Sequence, residues 1–361
     1  MIEKVGKVTM YASLLMMGIS TSIIGILPPA ASAGVGVVIV LQLMRLAQCF
    51  GRGGTWGGGI LMAYENVPEN KRSFYAAIPQ IGLPIGFGLS SILIAVPTLL
   101  LPEDIFFTWG WRIPFLAAII LTVIVIRQKG EMMETEDYKK AQAKLEAEEA
   151  EGKKHKVGFI PMVKGYWKTL LLGCGTRWVD GTFYNIFIVW ILSYCINWLG
   201  MPLIQTYIIT IIACIFKIPF TLFGGWCAQK LGNTRTFVIG ALASAVLSIP
   251  TLKVIELSKG NLAITIIGIV LGWSIAYNLI WAVISSLWSS YFETEVRYSG
   301  ISFVYHVPSF LVAGMVPTIC TLLINYGKGD TIYVGIYSTV VALISAACAL
   351  ALKARHDRGE K

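Results

Sequence analysis

Ten apolar runs, separated by short polar or charged stretches and one long one, follow one another through this 361-residue chain. They are Val8–Leu27, Val35–Ala63, Phe74–Leu101, Ile113–Ile126, Thr169–Trp198, Leu203–Cys227, Phe237–Ile255, Leu262–Tyr291, Ile301–Ile324 and Ile332–Leu352. A helix needs roughly 17–25 apolar residues to cross the hydrocarbon of a bilayer. Nine runs reach that length, and the fourth is read as extending back through Trp111. Backbone N–H and C=O groups in lipid must pair within their own segment, so the runs are expected to be helices. With 56% hydrophobic and 14% charged residues, a water-soluble fold would expose far too much apolar surface. The expected class is an all-α polytopic membrane protein.

The net charge of +9 suggests a nucleic-acid partner until its distribution is read. With ten spans and an internal N-terminus, 21 Lys and Arg fall in inner segments, Lys4, Lys71, Lys153, Lys230 and Lys353 among them. Arg112, Lys253, Lys259 and Lys328 fall outside, and Arg45, Arg52, Arg177 and Lys217 fall within spans. That asymmetry predicts cytoplasmic termini and no nucleic-acid partner; the expected location is a cell (inner) membrane. The seven cysteines lie in or at apolar runs without ligand spacing and read as small buried hydrophobes, so no metal is expected. Gly51–Gly59 lacks the Lys-Ser/Thr ending of a phosphate loop and reads as a packing face. Gly82, Gly86 and Gly88, with Pro79 and Pro84, predict a bent or tightly packed third span.

A short signature occurs twice. Glu3-Lys4-Val5-Gly6-Lys7 precedes the first run, and an offset of 226 brings Gln229-Lys230-Leu231-Gly232-Asn233 before the seventh. The same offset maps Glu69, Lys71 and Ser73 onto Glu295, Arg297 and Ser299. Duplicated membrane domains with a solute held between them are a common design of secondary transporters. Arg127–Lys168, rich in Glu, Lys and Ala, divides four spans from six. The expected domains are therefore a truncated N-terminal bundle (1–126), a cytoplasmic linker (127–166), a C-terminal six-helix bundle (167–352) and a cytoplasmic tail (353–361). If the second repeat starts near Trp167, the first would start about 60 residues before Met1, two helices earlier. A cleaved leader ending at Ala31-Ser32-Ala33 is disfavoured, because the first apolar run exceeds the usual 7–15 residues.

Three motifs then carry a family resemblance. Arg45-Leu46-Ala47-Gln48 through Gly53-Gly54-Thr55-Trp56-Gly57-Gly58, Trp109-Gly110-Trp111-Arg112-Ile113-Pro114-Phe115, and Glu293-Thr294-Glu295-Val296-Arg297-Tyr298-Ser299-Gly300 occur in this order. They resemble signatures of the metabolite:proton symporter branch of the major facilitator superfamily, which includes citrate, 2-oxoglutarate, shikimate and proline/betaine carriers. The resemblance runs the whole length. It implies twelve helices in two pseudo-symmetric bundles, of which this chain would hold the third to the twelfth. It also implies conformational loop motifs at Glu3, Lys4 and Gly6, at Gln229, Lys230 and Gly232, and at Glu295 and Arg297. Thr55 stands where the family has Glu, Gln229 where it has Asp, and Cys49 where it has Gly, while Arg52 adds a cation.

Charges within spans are costly in lipid and face a cavity or a partner. Arg45, Gln48, Arg52 and Thr55 share one face of the second run, within roughly 80° of arc. Arg177, Asp180 and Tyr184 form a similar stripe on the fifth run, and Lys217 lies near the middle of the sixth. Four cations against one carboxylate require a counter-ion, which a substrate carboxylate would supply. Plainer readings stand beside this one. Arg177 and Asp180 can pair structurally, Arg52 and Lys217 can extend their stems to the interface, and aromatic residues of the fifth run can serve packing. The expected substrate-binding set is Arg45, Gln48, Thr55, Arg177, Tyr184 and Lys217. Asp180 and His306 are the proton-coupling candidates. The expected function is proton-coupled symport of a small organic anion by alternating access, by a monomer in the bilayer without a cofactor. The alternatives are a zwitterion carrier, an inactive truncated carrier and a non-transporting membrane protein. No nucleophile–base set points to an enzyme.

Overall fold

The computed structural model describes residues 6–29, 33–65, 67–68, 71–127 and 159–359. All regular structure among them is helical. The chain runs through α1 (Gly6–Ile26), α2 (Val35–Glu65), α3 (Arg72–Ala77), α4 (Gly82–Leu100), α5 (Glu103–Thr108), α6 (Ile113–Arg127), α7 (Phe159–Tyr184), α8 (Ile191–Asn197), α9 (Leu203–Leu231) and α10 (Asn233–Leu257). It continues through α11 (Leu262–Ile269), α12 (Asn278–Tyr291), α13 (Thr294–Leu311), α14 (Val316–Tyr326) and α15 (Ile332–Asp357). Short 3₁₀ turns join α3 to α4 (Pro79–Ile81), α5 to α6 (Gly110–Arg112) and α13 to α14 (Ala313–Met315). Wider π turns join α7 to α8 (Asn185–Trp190) and α11 to α12 (Val270–Ala276). Eight segments among the described residues are long and apolar enough to cross a membrane. Two shorter apolar helices, Ala12–Ile26 and Gly110–Ile124, fall on the first and fourth runs. Hydroxyls in these helices fold back onto the preceding turn, as Thr21 to Met17 O at 2.6 Å and Ser22 to Gly18 O at 2.8 Å. That satisfies them without water.

The helices form two compact units. The described part of the first comprises α1, α2 to Met62, and the chain from Ile92 to Arg127. Here α1 lies close against α6, and a side chain at Gly25 would meet Phe115 Cβ at 2.8 Å. Gly51 brings α2 similarly close to Ser13 and Met17. Arg112, read above as an outer-loop cation, is buried at the end of α1. It donates to Gly25 O at 2.8 Å and Leu27 O at 2.6 Å, with its guanidinium 4.7 Å from the Trp111 ring centre. The cation thus caps the negative end of a helix dipole, with a tryptophan ring against its guanidinium.

The second unit holds residues 63–91 and the described chain from Phe159 onward. Its third-span segment passes through the Pro79–Ile81 turn; a side chain at Gly82 or Gly86 would meet nothing within 4 Å, and one at Gly88 would lie 3.6 Å from Cys214 Cβ. The packed part of this segment is the turn and the end of α3 before it, where Ala76, Ala77 and Gln80 are buried, rather than Gly82 and Gly86. Residues 128–158, most of the expected linker, lie outside the described residues, and α7 begins at Phe159. Gly232, between α9 and α10, has φ +89° and ψ 152°, a region essentially closed to other residues. This explains the glycine of that loop motif.

At the junction of α10 and α15, Lys253 bridges Glu256 (2.9 Å) and Asp330 (2.7 Å). Glu256 also accepts from Thr331 N at 2.8 Å and Thr331 Oγ1 at 2.7 Å, a carboxylate on the N-terminus of α15. The Lys253 ammonium and the Ile332 N–H hold the Asp330 carboxyl below the usual aspartate range. A depressed folded value contributes stability above the unfolded pKa, and that stability is lost as pH falls through the folded value. The thermal midpoint of Asp330→Asn should therefore lie below wild type at neutral pH. The gap should close as pH drops below the ordinary aspartate value; a gap constant with pH would remove the contact from the stability of this junction.

Candidate functional site

Four charged side chains among the described residues are buried, Arg112, Arg177, Asp180 and Lys217, and the last three lie in the second unit. The α7 spacing places Arg177 and Asp180 one turn apart on one face, and their side chains form an ion pair. Arg177 Nη2 also donates to Ser309 Oγ of α13 at 3.3 Å, and its guanidinium lies 4.4 Å from the Tyr305 ring centre. The other oxygen of Asp180 accepts from the Tyr277 hydroxyl. Both carboxylate oxygens are thus engaged at a residue 1% exposed.

Tyr277 connects this pair to Lys217 of α9. The Lys217 Nζ sits 4.3 Å from the Tyr277 ring centre, 4.4 Å from that of Trp273 and 5.9 Å from that of Trp281. Its hydrogen-bond acceptor is Asn278 Oδ1 at 2.9 Å. Asn278 Nδ2 donates back to Lys217 O at 2.7 Å and lies 3.0 Å from Thr221 Oγ1, locking the amide. Trp281 is held in turn by a reciprocal pair with Gln80: its Nε1 donates to Gln80 O at 3.0 Å, and Gln80 Nε2 donates to Trp281 O at 3.2 Å. By contrast, Trp273 Nε1 is buried and has no hydrogen-bond partner among the described residues.

The π turns set this arrangement. Val270–Ala276 ends at Tyr277, whose N–H reaches Gly272 O five residues back at 3.3 Å. Asn185–Trp190 begins just after Tyr184. The two meet at Gly272, where a side chain would come within 2.5 Å of Phe187 Cζ. Phe183 then stacks on Tyr277 at 6.1 Å and 9°. Wide turns of this kind shift helical phase and recur at functional sites.

Of the residues expected from sequence, Arg177, Asp180 and Lys217 come together through Tyr277. Tyr184 packs against Phe87, with ring centres 5.8 Å apart. His306 is half-buried beside Tyr305, at 5.0 Å. In the first unit, Arg45 is exposed and reaches Gln48 Oε1 at 3.5 Å, while Gln48 donates to Thr21 Oγ1 at 2.7 Å. Thr55 lies on α2, its side chain outside the described residues. Glu3 and Lys4 fall outside them entirely, as does the Glu295 side chain, and Gly6 begins α1. Gln229 is exposed, Lys230 folds over Trp226 at 4.2 Å, and Arg297 donates to Phe292 O at 3.1 Å. Sequence reasoning missed Tyr277, Asn278, Trp273, Trp281 and Gln80. Asn278 carried a signal: it has the one side-chain amide in Leu262–Tyr291, a segment without charges.

The profile of the Major Facilitator Superfamily matches residues 1–313. The chain belongs to this superfamily. It is 32% identical to the inner membrane metabolite transport protein YhjE of Escherichia coli (strain K12), over 98% of this chain and 80% of that protein. The shikimate transporter of the same strain is 30% identical, over 94% and 76%. The proline/betaine transporter of Salmonella typhimurium is 27% identical, over 99% and 71%. Among solved structures, the proton:xylose symporter XylE superposes with TM-score 0.73 at 15% identity, covering 96% of this chain and 79% of that one. These matches place the chain among membrane transporters and not among enzymes, in agreement with the all-helical fold and its apolar spans.

Proposed function

We propose that the chain is a proton-coupled carrier of a small carboxylate-bearing solute, an organic anion first, working by alternating access between its helix bundles. One observation carries this reading: the buried cluster offers more donors than its single carboxylate can meet. Asp180 serves Arg177 and Tyr277, leaving Lys217 with an amide oxygen and Trp273 Nε1 with no partner among the described residues. An unmet buried donor costs about 1–3 kcal/mol, which a bound carboxylate would recover. The relatives named for shikimate and for proline/betaine carry solutes that share a carboxylate, consistent with this handle. Asp180 is the proposed proton site, because a carboxylate between a guanidinium and a phenol can exchange one donor for its own proton. His306 stands as the second candidate. Uptake into proteoliposomes from a panel of organic acids and zwitterions, with and without a proton gradient, tests the reading. Gradient-driven uptake of an organic acid is expected; a carrier indifferent to every carboxylate would overturn it.

Within the first unit, Arg45 and Gln48 are kept as proposed solute-binding residues. Arg45→Ala should then lower uptake about tenfold, the scale of one charge-assisted hydrogen bond. Full uptake by that variant would remove Arg45 from the site. The proposed orientation has both termini in the cytoplasm of an inner-membrane protein, with reporter fusions after Gly130 and Arg355 internal and one after Lys328 external. An internal reporter at Lys328 would break that topology.

A further inference from the structure

We infer that the rings of Trp273, Tyr277 and Trp281 form a cation cage of which Lys217 is the tethered occupant. The same cage is then a latent site for a free alkylammonium, quaternary ones included, which the lysine keeps out. The distances carry this. An ammonium within about 6 Å of an aromatic face is attracted by the ring quadrupole, and cages built this way recognise quaternary ammonium groups. Lys217 Nζ meets that criterion on three rings at once, at 4.3, 4.4 and 5.9 Å, with one hydrogen-bond acceptor among the described residues, Asn278 Oδ1. An ammonium carries three donors; among the described residues one meets Asn278 Oδ1 and the rest of the group lies among aromatic faces, surroundings that also suit a methylated ammonium.

The cage is fixed from outside. Tyr277 is held by Asp180 and by Phe183, and Trp281 by its two bonds to Gln80. Lys217, Trp273 and Tyr277 are each no more than 1% exposed. Two of the three rings, those of Tyr277 and Trp281, are therefore held by contacts other than the lysine. The atoms removed by Lys217→Ala are those of n-propylammonium, so the vacated space has the size of a small alkylammonium. The corollary rests on the carboxylate-carrier reading: with the cage filled from within, a solute's own ammonium finds no seat there, and Lys217 selects anions over betaine-like zwitterions.

Binding to purified protein in nanodiscs tests this without transport. Tetramethylammonium and n-propylammonium are titrated against wild type, Lys217→Ala and Lys217→Met, read by tryptophan fluorescence and thermal midpoint. Lys217→Ala should bind tetramethylammonium at least tenfold more tightly than wild type, and n-propylammonium should raise its midpoint. Lys217→Met, whose apolar stem still fills the cage, should gain neither. Equal affinity in all three proteins would overturn the cage. Should Lys217→Ala not fold, a double-mutant cycle of Lys217→Met with Trp273→Leu on the thermal midpoint decides: non-additive shifts support the cage and additive ones overturn it. Wild-type uptake of an organic acid alongside a failed cage would leave the carrier reading standing, so the two fail separately.

Discussion

Asp180→Asn is expected to collapse proton-driven accumulation to the equilibrium ratio while solute exchange across the membrane survives. The amide imitates the protonated acid. Its oxygen can still accept from Tyr277, but the amide nitrogen offers Arg177 no acceptor. The carrier would then be held in one protonation state and could cycle only loaded. A purely structural Asp180 gives a different result. A buried Arg177 left unpaired costs on the order of 3–5 kcal/mol and lowers folded yield and exchange together. Accumulation and exchange, both measured on protein matched for folded amount, separate the two. Unchanged accumulation would move the coupling role to His306, which lies beside the Tyr305 ring that covers Arg177.

Lys217→Met should cost uptake about a hundredfold, the upper range for losing a hydrogen bond to a charged group. Stability should move the other way. Burying an ammonium without a carboxylate partner carries a large desolvation cost, which an apolar side chain of similar volume avoids. Thr221 Oγ1 lies 2.9 Å from Lys217 O and 3.2 Å from Asn278 Oδ1; turning its one proton to the amide leaves Lys217 O still served by Asn278 Nδ2, so the substitution strands no acceptor. A more stable protein that does not carry its solute is the signature of a residue kept for function. Wild-type uptake by Lys217→Met would take the lysine out of the site, and a fall in thermal midpoint would make its role structural.

Part of this site was legible before any fold was known. Arg177 and Asp180 are three residues apart in an apolar run, and helical geometry alone puts them side by side. Lys217 stood out because an ammonium in the middle of a span is costly. Tyr277 did not stand out, although it joins all three. One aromatic among many in a membrane run carries no mark, and the π turn before it shifts the helix phase that sequence periodicity assumes. Arg112 shows a related limit: the motif around it was visible, but its acceptors, Gly25 O and Leu27 O, lie more than eighty residues away in sequence.

The apolar runs determined by themselves that the chain is a set of membrane helices, since lipid leaves a backbone almost no other way to pair its polar groups. The charges within those runs likewise marked where function had to be sought. Only the tertiary structure decided how they combine. Burial of Lys217 among rings, the meeting of Gly272 with Phe187, and the Gln80–Trp281 clasp depend on which faces of distant helices pack together. Close packing joins residues from α7, α9 and α12 at ångström distances, and no local pattern along the chain encodes those distances.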